Sequence, residues 1–297
     1  MSEKPAKAPA RQAGARDVAL RAGDLASQLE AVQQREKARR AELDRQIEAG
    51  QQRPRQMALF PEDARAIPNY LARTPLFAPV RPGRRRQRDG ELLASPKGFE
   101  IRFSGVQLDQ SDCDVFMQLV HEARGKTLGD ALVLNRADFL SQIGRADGGK
   151  NYEWLANVFR RLNGARIHVE SERYRVNMTL LTKTIEDKQT GAFSVVLDPD
   201  IVKMFSGAEY SLVDWQKRKQ LERRVDLAKW LHNFICSHEH GLQRWTVGNL
   251  REWSGYASPL RKFREALAEA LGELERVEII RGTAFYERES KVRWTRL

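Results

Sequence analysis

The segment from Asn135 to Asn163 constrains the fold most, because its pattern predicts two helices joined by a glycine-containing turn. Asn135 is the expected N-cap of a first helix that reaches Ile143. The break from Gly144 to Gly149 includes two consecutive glycines, which give the backbone the freedom that a tight turn needs. A second helix follows and ends before Gly164. This is the layout of a helix-turn-helix, although an ordinary helical hairpin has the same pattern.

The second predicted helix has an apolar face at helical spacing and an opposite face that is polar and basic. Asparagine side chains can pair with adenine edges, and lysine and arginine can reach guanine edges or phosphates. The candidate nucleic-acid contacts on this helix are Lys150, Asn151, Asn157, Arg160 and Arg161.

Two alternating segments, 165–170 and 174–181, follow this helix directly and predict a β-hairpin. A hairpin in this position is the wing of a winged helix, which favours the helix-turn-helix over the plain helical hairpin. Arg173, in the connection between the two strands, joins the candidate DNA contacts.

The second half of the chain repeats the plan. A long helix is expected over 218–237, then a short helix started by Thr246, a turn at Gly255, and a helix capped by Ser258 and opened by Pro259. A second wing is expected from strands 277–281 and 285–289 across a Gly282 turn, with 292–295 as an extra strand. The candidate DNA contacts here are Ser258, Arg261, Lys262 and Arg264. The predicted fold class is therefore α+β, with two tandem winged-helix domains.

The net charge of +11 and the pI near 9.8 indicate a polyanionic partner such as nucleic acid. The charge is uneven, because residues 1–98 hold 20 basic against 12 acidic side chains and so carry +8 of the total. Any DNA-binding face in the rest of the chain must therefore be local.

The N-terminal region has its own organisation. Residues 1–16 are expected to be disordered, and 17–49 to form a charged, solvated or partner-binding helix. The pentapeptide Gln56–Phe60 (QMALF) is an apolar island in a proline- and arginine-rich stretch. The predicted domains are an N-terminal region over 1–66, a linker over 67–98, and winged-helix domains over 99–207 and 208–297.

Little in the sequence indicates catalysis or a cofactor. Gly125-Lys126-Thr127 lacks the first glycine of a phosphate-binding loop, and His238-Glu239-His240 has no partner cluster that would complete a metal site. Cys113 and Cys236 are expected to be reduced core residues. We expect a soluble, cytoplasmic protein without a membrane span, a metal, a cofactor or an enzymatic activity.

The chain resembles the TrfA family of plasmid replication initiators. The resemblance runs from about Ile67 to the C-terminus and is most specific over Gln107–Glu122 (QLDQSDCDVFMQLVHE) and Ser254–Leu274 (SGYASPLRKFREALAEALGEL). It implies that two winged-helix domains grip one origin repeat, or iteron, in successive major grooves of double-stranded DNA. It also implies opening of a neighbouring AT-rich region, which becomes single-stranded, and loading of host replication proteins.

The resemblance also implies three protein contacts. Gln56, Leu59 and Phe60 match the anchors of a motif that docks into the bacterial sliding clamp, although the same pentapeptide could instead fold back on its own domain. The charged helix over 17–49 matches a region linked to recruitment of the replicative helicase, and a host initiator is a further partner. Members of the family also switch between monomers and dimers.

Two other functions fit a basic winged-helix protein. A transcriptional repressor without a replication role would bind a palindromic operator and have no use for the pentapeptide. A plasmid partition adaptor would need a partner ATPase.

Overall fold

The structure is a computed structural model. It describes residues 57, 59–80, 85–95, 100–127, 129–170, 175–200, 205, 210–222, 225–286, 288 and 290–297. The expected disorder over 1–16, the charged helix over 17–49, and the candidates Gln56 and Arg173 all lie outside these residues.

The first domain surrounds a buried helix, α2. Its elements, in chain order, are β1 (Ala64–Pro68), α1 (Asn69–Ala72), β2 (Phe77–Ala78), β3 (Gln87–Leu93), β4 (Glu100–Val106), β5 (Leu108–Asp109), α2 (Gln110–Glu122), β6 (Leu132–Leu134), α3 (Arg136–Gln142), α4 (Gly149–Asn163), β7 (Arg166–Glu170), β8 (Arg175–Thr179), β9 (Leu181–Glu186), β10 (Phe193–Leu197) and β11 (Tyr210–Asp214). Helix α2 begins with a capping box, in which the Asp109 carboxylate accepts from the backbone of Asp112 and the Asp112 carboxylate accepts from the backbone of Asp109. It is buried along most of its length because strands and helices cover it on several sides.

The second domain has its own core. Its elements are α5 (Trp215–Gln220), α6 (Asp226–Cys236), β12 (Gly241–Thr246), α7 (Val247–Ser254), α8 (Leu260–Arg276), β13 (Ile280–Tyr286) and β14 (Lys291–Arg296). Helices α6 and α8 pack against each other, and Trp294 of β14 lies fully buried beneath them. The two predicted winged-helix units are confirmed, each within a mixed α and β domain.

The sheets are small. Strands pair in the orders β3-β4-β7-β8, β6-β10-β9 and β12-β14-β13, with two-stranded pairs β1-β11 and β2-β5. All pairings are antiparallel except that of β2 with β5. The first predicted wing is found as β7 and β8, which pair in register from Arg166–Thr179 to Glu170–Arg175.

The described residues of the stretch expected to be a linker, 67–80 and 85–95, instead belong to the first domain. Strand β1 pairs with β11, β3 pairs with β4, and Ile67 and Leu76 are fully buried. The first core extends from Met57 to Trp215 and the second from Leu221 to Trp294. The boundary between the two cores therefore lies at about residue 220 rather than at 207.

Two other details differ from the sequence-based prediction. The long helix expected over 218–237 is two helices, because the backbone at Leu221 turns extended (ψ 136°) at the end of α5. The second wing is formed by β13 and β14, and Gly282 lies at an irregularity within β13 rather than at the turn. The segment 292–295, expected as an extra strand, is one arm of that wing.

Candidate nucleic-acid interface

The first helix-turn-helix, α3 and α4, forms as predicted. The side-chain oxygen of Asn135 accepts from the backbone N–H groups of Ala137 at 2.9 Å and Asp138 at 3.3 Å, so it caps α3. In the turn, Gly144 has φ of 71° and Gly148 has φ of 141°, values that favour glycine. The turn is therefore fixed by its own residue types.

The exposed side of α4 carries four of the predicted contacts. Lys150 and Arg160 are exposed, so both side chains can reach a phosphate or a base edge. Asn157 is half-buried and accepts from the Arg160 guanidinium at 2.6 Å, which holds the two side chains side by side. Asn151 donates to the carbonyl of Ala146 at 2.7 Å, so part of its hydrogen-bonding capacity stabilises the turn.

Arg161 faces the protein interior, so its assignment as a DNA contact does not fit the structure. Its guanidinium donates to the carboxylate of Asp112 on α2, with the shortest N–O distance 2.6 Å. The Asp112 side chain is fully buried, and that of Arg161 is only 16% exposed. Arg85 binds the same carboxylate at 2.5 Å. The position that follows Arg160 on a helix is rotated by about 100°, which places Arg161 against α2.

The second helix-turn-helix, α7 and α8, has a different turn. The Thr246 hydroxyl accepts from the backbone of Asn249 at 3.3 Å and caps α7, as predicted. Gly255 adopts φ of 69° at the end of α7. Ser258 does not cap α8 with its side chain, because Pro259 occupies the cap position. The carbonyl of Ser258 instead accepts from the Arg251 guanidinium at 2.9 Å, which ties the turn to α7.

The first turn of α8 presents the remaining candidates. The Arg261 side chain is 81% exposed and makes a 3.2 Å ion pair with Glu265, while Lys262 is exposed. Arg264 is half-buried and donates to the Ser290 hydroxyl at 3.2 Å, which connects α8 to the β13–β14 turn. Arg264 therefore uses part of its hydrogen-bonding capacity on the wing, whereas Arg261 and Lys262 are better exposed for contact with DNA.

Sequence reasoning missed several basic residues near these helices. The Arg145 guanidinium lies over the Trp154 ring at 3.5 Å, within the first turn and α4. In the β12-β14-β13 sheet, Arg244 of β12 and Arg293 of β14 are paired across strands and lie 5.3 and 5.4 Å from the Tyr286 ring. The alternation in β14 could have revealed Arg293, because it places that residue on the face opposite the buried Trp294.

The pentapeptide is only partly available as a docking motif. Leu59 is 82% exposed, whereas Phe60 is 6% exposed and packs against Phe205 and Tyr210 with ring centroids 5.8 and 5.3 Å away. Met57 is also buried and bridges to the backbone at residues 124–126. This arrangement is the fold-back alternative for the described part of the motif.

His238, one of the two histidines considered as metal ligands, packs against the second domain. His238 Nδ1 lies 2.7 Å from the carbonyl oxygen of Phe234, and its ring packs on Phe234 and Trp245. Burial lowers the pKa of His238 to about 4, and the nearby Arg73 and Arg296 charges add to that effect. No group of three or more His, Cys, Asp and Glu side chains suited to a metal occurs among the described residues. In that same part of the chain, no helix has the length and apolar character needed to cross a membrane.

Comparison with known proteins gives two kinds of match. The plasmid replication initiator protein TrfA of Escherichia coli is 25% identical over 231 residues, which cover 73% of this chain and 58% of that relative. This chain therefore spans little more than half the length of the curated relative that it matches. A crystal structure of domains 2 and 3 of RctB superposes with a TM-score of 0.53 at 12% identity, covering 74% of this chain and 94% of that one.

The RctB similarity, at 12% identity, concerns the fold alone. The family assignment rests on the sequence itself. The family model described as TrfA protein matches residues 19–288, which is nearly the whole sequence, and the chain therefore belongs to the TrfA family.

Proposed function

We propose that this protein initiates plasmid replication by binding iteron repeats at the origin through both of its helix-turn-helix units. The observation that carries the proposal is the presence of two winged-helix domains in a chain of the TrfA family, each with an exposed basic helix face. The Escherichia coli relative is named as a plasmid replication initiator, which supports the same role here. Binding of DNA, rather than catalysis, is the proposed activity.

The geometry supports readout by α4 and α8. Lys150 and Arg160 on α4, and Arg261 and Lys262 on α8, are exposed cations on helices that follow a tight turn. Such helices enter the major groove in helix-turn-helix proteins. Loss of one bidentate base contact should cost about 1–3 kcal/mol and relax one position of the site.

The direct experiment measures binding of the full chain to a duplex that carries the direct repeats of its own plasmid origin. Arg261→Ala and Asn157→Ala should each weaken binding and alter the preference among single-base variants. Arg276→Ala, at the opposite end of α8, is the matched control and should bind like the wild type. Unchanged affinity and specificity in both test variants would refute the assignment, and preference for a palindromic operator would favour a repressor.

We also propose that Gln56, Leu59 and Phe60 bind the sliding clamp, and that Phe60 must leave its contacts with Phe205 and Tyr210 to do so. The exposed Leu59 supports a docking role, because the described residues leave 82% of this apolar side chain exposed. Leu59→Ala with Phe60→Ala should abolish capture by purified clamp and leave duplex binding intact. Leu92→Ala, an exposed leucine on β3, is the control. If the clamp still captures the double variant, Gln56–Phe60 is not the clamp-binding motif.

The remaining steps are proposed from the family alone. They are opening of an AT-rich tract, contact with the resulting single strand, recruitment of helicase through residues 17–49 with the host initiator, and a monomer–dimer equilibrium. Deletion of 1–49 tests one of them. It should leave repeat binding unchanged and remove helicase capture at the origin. If the truncated chain recruits helicase as well as the full chain does, the N-terminal region is not the helicase-binding segment.

A further inference from the structure

Arg218 is a buried arginine at the junction of the two domains, and nothing in the proposed DNA contacts accounts for it. Its side chain is 1% exposed. Its Nε donates to the Asp114 carboxylate at 2.6 Å, and one terminal nitrogen donates to Gln110 at 3.0 Å. The other terminal nitrogen donates to the Asn233 side chain and to the Lys229 carbonyl, both at 3.0 Å. Four of the five guanidinium N–H groups are therefore used.

These partners come from both domains. Asp114 and Gln110 lie on α2 of the first domain, whereas Lys229 and Asn233 lie on α6 of the second. Lys229 also binds Asp114 at 2.5 Å. Burial raises the pKa of Asp114, but the Arg218 and Lys229 charges outweigh it and hold that pKa below its ordinary value. The cluster is thus an ionised, hydrogen-bonded connection between α2 and α6.

The same two helices support the two recognition helices. On α2, Asp112 holds Arg161 of α4, and two residues further along the helix Asp114 holds Arg218. Side chains two positions apart on a helix point about 200° apart, so α2 contacts α4 on one side and the second domain on the other. On the far side of the cluster, α6 packs directly against α8. A continuous series of packed helices therefore runs from α4 to α8.

We propose that Arg218 is a positioning residue that fixes the separation and angle of α4 and α8, so that the protein accepts only one spacing between the two halves of its DNA repeat. This inference rests on the proposed function, because it requires both helices to read one duplex. A guanidinium suits this role, since a planar group with donors in fixed directions constrains its partners more than the single ammonium of lysine does. Arg218 itself touches no DNA.

The test uses the full chain and duplexes in which about 5 base pairs, half a helical turn, are inserted at the middle of the repeat. The inserted DNA turns one half-site to the opposite side of the duplex, so the wild type should lose at least tenfold in affinity. Arg218→Met should lose affinity for the intact repeat and show an insertion penalty at least threefold smaller than that of the wild type. Lys219→Met, the exposed neighbour on α5, should match the wild type. Arg218→Lys should show an insertion penalty between those of the wild type and Arg218→Met.

A second measurement does not depend on DNA. Spin labels at Glu153→Cys on α4 and Glu269→Cys on α8, both exposed positions, report the distance between the helices. We expect one narrow distance in the wild type and a broadened distribution in Arg218→Met, while circular dichroism remains that of a folded chain. If the distribution stays narrow in a folded Arg218→Met variant, or if the insertion penalty stays that of the wild type, the inference is wrong. If no repeat DNA binds to the wild type, the proposed function fails, and the spin labels still decide the role of Arg218.

Discussion

Arg160 and Arg161 are neighbours on α4 with opposite surroundings, and replacing each by alanine should separate DNA binding from stability. Arg160 is exposed and bonded to Asn157, whereas Arg161 is bound to the fully buried Asp112. Both residues are equally plausible DNA contacts by sequence alone. The structure predicts that Arg160→Ala loses affinity and Arg161→Ala loses stability.

The size of the stability loss follows from what remains at Asp112. Removing one partner of a buried ion pair costs about 3–5 kcal/mol when the other charge is left alone. Asp112 is not left alone, because Arg85 still binds it at 2.5 Å and the backbone of Asp109 still donates to it at 3.0 Å. The loss should then be that of hydrogen bonds to a charged group, about 1.5–3 kcal/mol. Arg160→Ala should change the free energy of unfolding by no more than about 0.5 kcal/mol.

The assays are urea unfolding followed by circular dichroism, and fluorescence anisotropy with repeat DNA at a temperature where both variants are folded. Arg160→Ala should weaken binding by about 1–3 kcal/mol if it contacts a base, or reduce the salt dependence by about one ion if it contacts a phosphate. Arg161→Ala should lose less affinity than Arg160→Ala does. The reasoning is refuted if Arg161→Ala unfolds like the wild type, or if the two variants exchange phenotypes.

Three further predictions concern stability. Gly255→Ala should destabilise the protein by about 2 kcal/mol or more, because φ is 69° and the new Cβ would lie 2.7 Å from Cβ of Pro75. Gly272→Ala, at an open position within α8, should instead stabilise the protein by about 0.5–1 kcal/mol. Equal effects of the two substitutions on the free energy of unfolding in urea would contradict both predictions. Burial, with help from the Arg65 charge, lowers the pKa of His121 from 6.5 to about 4. The unfolded chain therefore takes up a proton that the folded chain does not, and stability is lost as pH falls from about 6.5 to 4. The variant His121→Gln should lose less over that range, and parallel pH profiles of the two proteins would exclude a buried neutral histidine.

The helix-turn-helix units could be predicted because their signals are local. Caps at Asn135 and Thr246, glycines at Gly144 and Gly255, and apolar residues at helical spacing all act within one turn of each other. Local hydrogen bonds and backbone freedom decide these features, so a single sequence contains the information. The first wing was predictable for the same reason, since β7 and β8 are joined by a short connection.

The role of residues 61–95 could not be predicted in this way. Strand β1 pairs with β11 about 145 residues later, and the residues between give no sign of the partner. Ala64 and Ala66 are small, and Pro68 ends the strand, so this segment lacks the β-branched and aromatic content typical of a strand. The prolines and arginines that suggested a linker are compatible with short strands whose edges are held by distant parts of the chain.

The arginines show why a basic residue on a predicted helix is not always available to DNA. Arg85 and Arg161 neutralise Asp112, and Arg218 neutralises Asp114, so these charges stabilise the fold and are not available to DNA. What remains on α4 is Lys150 and Arg160, with the acidic Glu153 exposed among them.

On α8, by contrast, Arg261 and Lys262 are adjacent in the first turn, with Glu265 one turn further along. Phosphate contacts supply most of the affinity for any duplex, whereas asparagine and arginine contacts to base edges supply the discrimination. The two helices therefore differ in the kind of DNA contact that they are suited to make. Helix α8 is suited to supply more of the affinity, and α4, where Asn157 is held beside Arg160, is suited to supply selectivity.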